Sequence, residues 1–222
     1  MNLYENEDIE KLPRFPKLSF QLAFRNTVDK ETQNSILEEV HRISKNINIK
    51  IYIAIKFLST YFNVRPKEMI NIKEKHIDLI QGQILIPDPK EKNPKYIFLL
   101  DEDVELLRSF PEALDKELYF FRHTSGKGGT RAGTKWGDRY LYKYWKKACK
   151  NLGINDVDLY GGTRHSSVRA LRHMISPEQI RLASGHSTSK AFERYYTLEP
   201  DDLRKTYSMT RQNGSGNELA NG

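Results

Sequence analysis

The sequence predicts a mainly α-helical chain with a small antiparallel β-sheet, an α+β fold. Two observations predict it. Several segments repeat apolar residues at helical spacing, and one charged, proline-bearing turn joins two short β-rich runs. With 222 residues, 38% hydrophobic and 11% aromatic, the chain can bury one good-sized core and still carry tails.

Residues 1–26 are mixed, contain Pro13 and Pro16, and read as a linker or N-terminal arm. Ile36, Leu37, Val40 and Ile43 then share one helical face. The next segment is ambiguous. Ile49, Ile51, Ile53, Ile55 and Phe57 alternate as in a strand, yet Ile51, Ile55, Leu58 and Phe62 form a helical stripe. After Asn63 and Pro66 a short helix is expected around Glu68–Ile72. The runs Gln83–Pro87 and Tyr96–Leu100 flank DPKEKNPK, which gives a hairpin with an exposed basic tip. Asp101 is expected to cap a helix through Leu106 and Leu107. The stretch SGKGGTRAGTKWG is glycine-rich, basic and expected to be mobile, and it leads into a lysine-rich helix, Tyr140–Lys150. Ser176-Pro177-Glu178-Gln179 is a helix start, with Ser as N-cap, Pro in the first turn and Gln three residues on. Gly185 is placed to end that helix. Residues 200–222 read as a C-terminal segment and a disordered tail.

The formal net charge is +7 and the isoelectric point about 9.3. A folded basic domain points to a polyanionic partner, most commonly nucleic acid, although solubility alone also favours a modest positive excess. Cys149 is the only cysteine, which excludes an internal disulfide and a Cys-rich zinc site and fits a reducing compartment. The first fifteen residues lack the apolar run of a signal peptide, and no stretch approaches the roughly 18 apolar residues of a membrane span. A soluble cytoplasmic protein, nucleoid-associated or encoded by a virus or mobile element, is expected.

Three segments carry the chemistry: NVRPKEMINIKEKHID, YGGTRHSSVRALR and LASGHSTSKAFERYY. In these the sequence resembles the tyrosine recombinase family over about residues 27–199. Arg65 matches the first family arginine, followed by Glu68, an apolar pair and Asp78. Arg164 matches the second arginine, His186 the histidine of the Gly-His motif, and Tyr195 the nucleophile by its spacing from His186. Tyr196, one residue further on, is the alternative nucleophile. Lys90, counted back from the Lys95-Tyr-Ile-Phe-Leu strand, matches the β-hairpin lysine. One position departs from the pattern. The family has His-x-x-Arg before the second arginine, with the histidine as general base, and here that position is Gly161. Base duty then falls to His165, to a substituted neighbour or to water.

Physical chemistry suits these residues to those roles. A phosphodiester gains negative charge at its transition state, and two arginines clamp its oxygens with paired N–H donors that stay charged at any cellular pH. A tyrosine hydroxyl, with a pKa near 10, needs a base or a positive field to attack. The leaving 5′ oxygen needs a proton, which a lysine on a hairpin tip can deliver. The resemblance implies catalytic residues Arg65, Lys90, Arg164, His186 and Tyr195, a 3′-phosphotyrosine intermediate, and no metal, ATP or other cofactor. It also implies a mainly α fold with its small sheet near the active site, which makes Ile49–Phe62 a helix.

Gly-Gly-Thr ahead of a helix at Arg164 reads as an anion site at the helix N-terminus. Lys127, Arg131, Lys135 and Arg139, with Trp136 among them, lie in a stretch that can order on a phosphate backbone. Lys143, Lys146, Lys147 and Lys150 form one helix face, of which Lys143 and Lys147 are further DNA contacts. The implied partner is double-stranded DNA, on which family members assemble as homo-tetramers; a fragment of this size is expected to be monomeric alone. Two rival readings remain: a type IB topoisomerase, which uses a similar residue set, and a non-enzymatic DNA-binding relative, suggested by Gly161.

Overall fold

A computed structural model describes residues 25–90, 93–111, 115–126, 129–172, 174–184 and 204. In chain order these give α1 (Lys30–Ser44), α2 (Lys50–Thr60), α3 (Pro66–Ile70), β1 (Ile77–Asp78), β2 (Gln83–Ile86), β3 (Lys95–Phe98), α4 (Asp101–Arg108), α5 (Tyr140–Asn151), α6 (Ser166–Leu171) and α7 (Pro177–Ser184). The mainly helical α+β architecture is therefore the one observed.

The centre of the fold is α2. Ile51, Ile53, Ala54, Ile55, Phe57 and Leu58 are all buried, so the helix is covered on nearly every side by α1, α5 and the Arg164 segment. Burial all round explains why its sequence fits two periodicities: almost every position is apolar, and neither stripe is selected. α1 presents Ile36 and Val40, and α5 presents Leu141, Trp145 and Ala148. α1 starts where the Asp29 carboxylate accepts the Thr32 amide at 2.7 Å.

The three strands pair antiparallel in the order β1-β2-β3, with Ile84 opposite both Ile77 and Ile97. Ile84, Ile86 and Ile97 face the core, as strand alternation requires. α3 begins earlier than expected, at Pro66, because proline suits a first-turn position whose N–H has no helical partner. α4 also differs in its cap. Leu100 holds the N-cap position and Asp101 is the first helical residue, so its charge acts on the helix dipole instead of capping an amide. Inside α4, the fully buried Asp103 accepts from Lys56 Nζ at 2.5 Å and Tyr61 Oη at 2.6 Å, which joins α4 to α2.

The described part of the glycine-rich stretch is not a free loop. His123 donates its amide to Thr134 at 2.9 Å, and Gly133 returns one to His123 at 2.8 Å. Trp136 is fully buried, with its ring 5.6 Å from Phe121 and 4.9 Å from Tyr140. It is a core residue that anchors a hairpin-like turn, not a side chain exposed for DNA. α7 starts as its sequence dictates: Ser176 Oγ accepts the Gln179 amide at 3.2 Å and the Gln179 side chain accepts the Ser176 amide at 3.1 Å. The expected helix end at Gly185 lies outside the described residues.

Candidate active site

Glu68 organises the first part of the site. Its carboxylate is almost fully buried, and Oε1 accepts from the Arg65 guanidinium at 2.9 Å and from the Lys90 amide at 3.0 Å. Oε2 accepts the Arg65 amide at 3.0 Å and pairs with Lys95 Nζ at 3.0 Å. Lys95 also donates to the Asn63 carbonyl at 2.6 Å. One buried carboxylate thus fixes the Arg65 side chain and the backbone beneath Lys90, whose own side chain is exposed. Burial pushes the Glu68 carboxyl up, but the amides of Lys90 and Arg65 and the Lys95 ammonium outweigh it, and the net shift is down. The structure therefore brings Arg65 and Lys90 together, at the junction of α3 with the β2–β3 hairpin.

Arg164 sits on a different element, a π-helical turn over Gly161–His165 that runs into α6. The wider turn is held from outside, a form of helix irregularity that recurs at functional sites. Gln33 of α1 donates to the Gly162 carbonyl at 2.8 Å and the Thr163 carbonyl at 3.2 Å, and Ser167 Oγ donates to the Ser59 carbonyl at 2.5 Å. Gly162 lies flat on the Trp145 indole, where a Cβ would stand 2.0 Å from the ring. Arg164 is 1% exposed, with Nη2 donating to the Ser184 carbonyl at 2.9 Å and the guanidinium 5.8 Å from the Tyr160 ring centroid. His165 sets its ring edge-on to Tyr160 at 5.0 Å.

This geometry corrects the reading of Gly-Gly-Thr as an anion cradle. The helix begins before the glycines. Asp158 Oδ1 accepts the Gly161 amide at 2.6 Å, and its carbonyl accepts the Gly162 amide at 2.8 Å. Both amides are already committed, and each glycine is required by close contact.

Of the remaining predicted residues, His186, Tyr195 and Lys127 lie outside the described residues. Arg131, Arg139, Lys143 and Lys147 are exposed. Lys135 is engaged: its Nζ donates to Asn71 Oδ1 at 2.6 Å and lies 5.3 Å from the Tyr119 ring centroid, so it fastens the turn to the end of α3. Lys67, also exposed in α3, lies 4.0 Å from Asp138. Among the described residues no three His, Cys, Asp or Glu side chains gather as a metal site needs.

A helical domain with one small antiparallel sheet, a buried arginine on a π turn and an arginine and a hairpin backbone joined through one carboxylate is the architecture that the chain shares with a known class of proteins. The chain belongs to the phage integrase family, whose model matches residues 26–201. Solved structures of the same fold include the XerA recombinase, with a TM-score of 0.60, 18% identity, and coverage of 88% of this chain and 67% of that one. A Tn1549 transposon integrase in complex with a circular intermediate DNA gives 0.61, 14%, and 86% and 68%. The catalytic domain of bacteriophage HP1 integrase gives 0.53, 16%, and 88% and 99%. The chain spans only 54% of a XerH site-specific recombinase that it also matches. No curated protein matches it. Family and fold together mark a tyrosine recombinase or integrase.

Proposed function

We propose that this chain cleaves and rejoins duplex DNA through a 3′-phosphotyrosine, as the catalytic part of a site-specific recombinase. The observation that carries the reading is the single carboxylate of Glu68, which sets the Arg65 guanidinium and the Lys90 backbone side by side. Arg65 and Arg164 hold the non-bridging oxygens of the scissile phosphate. Tyr195 Oη attacks phosphorus and its proton passes to water, eased by the field of the two arginines, since position 161 has no side chain to take it. The P–O5′ bond breaks as Lys90 gives the leaving oxygen a proton, and His186 hydrogen-bonds the phosphate. The reverse attack, by a 5′ hydroxyl on the phosphotyrosine, rejoins the strand and releases the tyrosine. The Ser184 carbonyl at the end of α7 accepts from Arg164 Nη2, which fixes the plane of the guanidinium.

The partner is double-stranded DNA, with four copies meeting on two sites. The solved XerH recombinase and the Tn1549 and lambda integrases of this fold are described as bound to DNA, which supports the assignment. The test is incubation without metal on a nicked suicide duplex carrying the native attachment site, followed by a denaturing gel. A covalent adduct that survives Tyr196→Phe and vanishes with Tyr195→Phe is expected. The reverse pattern moves the nucleophile to Tyr196. Bound DNA without any adduct would favour the non-enzymatic relative.

A further inference from the structure

The N-terminal arm meets the Arg164 element at the position where the family pattern departs. Gly161 has no side chain, and the space a Cβ would enter is filled by the arm: the Asn26 carbonyl oxygen would lie 2.3 Å away and Arg25 Cβ 3.5 Å away. The fit is reinforced along the arm. Asn26 Nδ2 donates to the Asp156 carbonyl at 3.0 Å, Val28 donates its amide to Ser166 Oγ at 2.9 Å, and Arg169 donates to Thr27 Oγ1 at 2.7 Å. Arg25 itself pairs with Asp158. Residues 25–28 are thus fastened across the segment that carries Arg164.

That fastening brings a second guanidinium to the aromatic ring that Arg164 approaches. Arg25 lies 5.3 Å from the centroid of the Tyr160 ring, the same ring that Arg164 approaches at 5.8 Å. The two differ in access. Arg164 is buried, whereas the Arg25 side chain is 49% exposed and its partner Asp158 is 41% exposed, so that pair stands in solvent. A half-exposed ion pair is held weakly, and a phosphate diester competes for the guanidinium with two oxygens of matching geometry. We propose that Arg25 is a DNA-phosphate contact of this site, held against Asp158 in the free protein and transferred to the backbone when DNA binds. The assignment rests on the DNA reading above. It makes the glycine at 161 a requirement of the architecture: the residue is small so that the arm can cross and present Arg25.

The test compares Arg25→Gln with Asp158→Asn in the full chain, measuring binding of a fluorescent mixed-sequence duplex across a salt series, with thermal melts alongside. If Arg25 exchanges Asp158 for phosphate, Arg25→Gln binds about tenfold more weakly at low salt and its log K against log salt slope falls by about one. Asp158→Asn then binds at least as tightly as the wild type, because it frees the guanidinium. Equal losses of binding and melting temperature in the two variants, with the salt slope unchanged, would show a purely structural strap and overturn the proposal. Wild-type slope and affinity in Arg25→Gln would overturn it as well. A wild-type chain that bound no duplex at all would overturn the DNA reading first, and this assignment with it.

Discussion

Glu68 and Arg65 are joined twice: the carboxylate accepts the arginine's guanidinium at 2.9 Å and its backbone amide at 3.0 Å. The second bond satisfies the N-cap amide at the start of α3, so the side chain that secures the helix start also aims the guanidinium. Because the same oxygen that binds the guanidinium also takes the Lys90 amide, helix start, arginine orientation and hairpin position are one structural event. Such shared support is how a site keeps its groups within a fraction of an ångström.

Removing that carboxylate should therefore act on stability and chemistry together. Glu68→Ala leaves buried donors without an acceptor and is expected to cost about 3 kcal/mol or more, read by urea unfolding at pH 7. The pH dependence follows from the sign of the shift. The folded carboxyl lies below its ordinary value, so its stabilisation is present above the unfolded carboxylate value and is lost as pH falls from there through the lower folded value. Wild type should lose more stability than Glu68→Gln between pH 7 and pH 4. Parallel losses in the two proteins would sink the idea.

Gly162 and Gly161 should tolerate no side chain, for different reasons. A Cβ at 162 meets the Trp145 ring at 2.0 Å, and one at 161 meets the Asn26 carbonyl at 2.3 Å. Trp145 is deep in the core and is itself tied by its indole N–H to the Val157 carbonyl at 3.0 Å, so it cannot yield. Gly162→Ala is expected to cost about 3 kcal/mol or more, and Gly161→Ala about 1–3 kcal/mol because the arm can lift. Thermal melts rank the two; the reverse order would show the arm to be the more rigid contact.

Much of this fold was legible in residue order, and the failures have physical causes. The α1 stripe, the hairpin flanks and the Ser176 cap were readable because each depends on residues within a few positions of one another. Trp136 was misjudged because its neighbours in sequence are glycines and lysines, while its neighbours in space are Phe121 and Tyr140. The Gly161–Gly162 pair was read as a phosphate cradle because a glycine pair looks the same whether an anion or an indole lies against it. Arg65, Glu68 and Lys90 were picked out by the family resemblance, but the bond from Glu68 to the Lys90 amide spans 22 residues and only the fold reveals it.

Lys50 gives a prediction of the same sign in a more alkaline window. Burial brings its ammonium down to about 8, against the partial support of Glu74, while its Nζ donates to the Phe120 carbonyl at 3.2 Å and lies 3.7 Å from the Phe120 ring centroid. The folded value lies below the unfolded one, near 10.4, so folding favours the neutral amine. Its contribution is complete above the unfolded value and is lost as pH falls through about 8. Relative to Lys50→Met, the wild type should gain stability between pH 7.5 and pH 9.5. Melting curves that keep a constant separation across that interval would rule this out.

The lysine face of α5 makes the DNA reading quantitative. Lys143, Lys146, Lys147 and Lys150 are all exposed, opposite the buried Leu141, Tyr144, Trp145 and Ala148, so each can be replaced without touching the core. Lys-to-Gln variants should stay within about 0.5 kcal/mol of wild-type stability. If the face lies along the duplex, each one removes about one unit of salt slope, and the losses should add for well-separated residues. Lys147 is the expected exception. Glu39 is held down to about 2, chiefly by Arg42 and Asn151, and is the carboxylate whose field reaches Lys147. Lys147→Gln should therefore change the slope least of the four. A fourfold variant with wild-type affinity at every salt concentration would remove α5 from the interface and leave DNA contact to the Arg65, Lys90 and Arg164 elements.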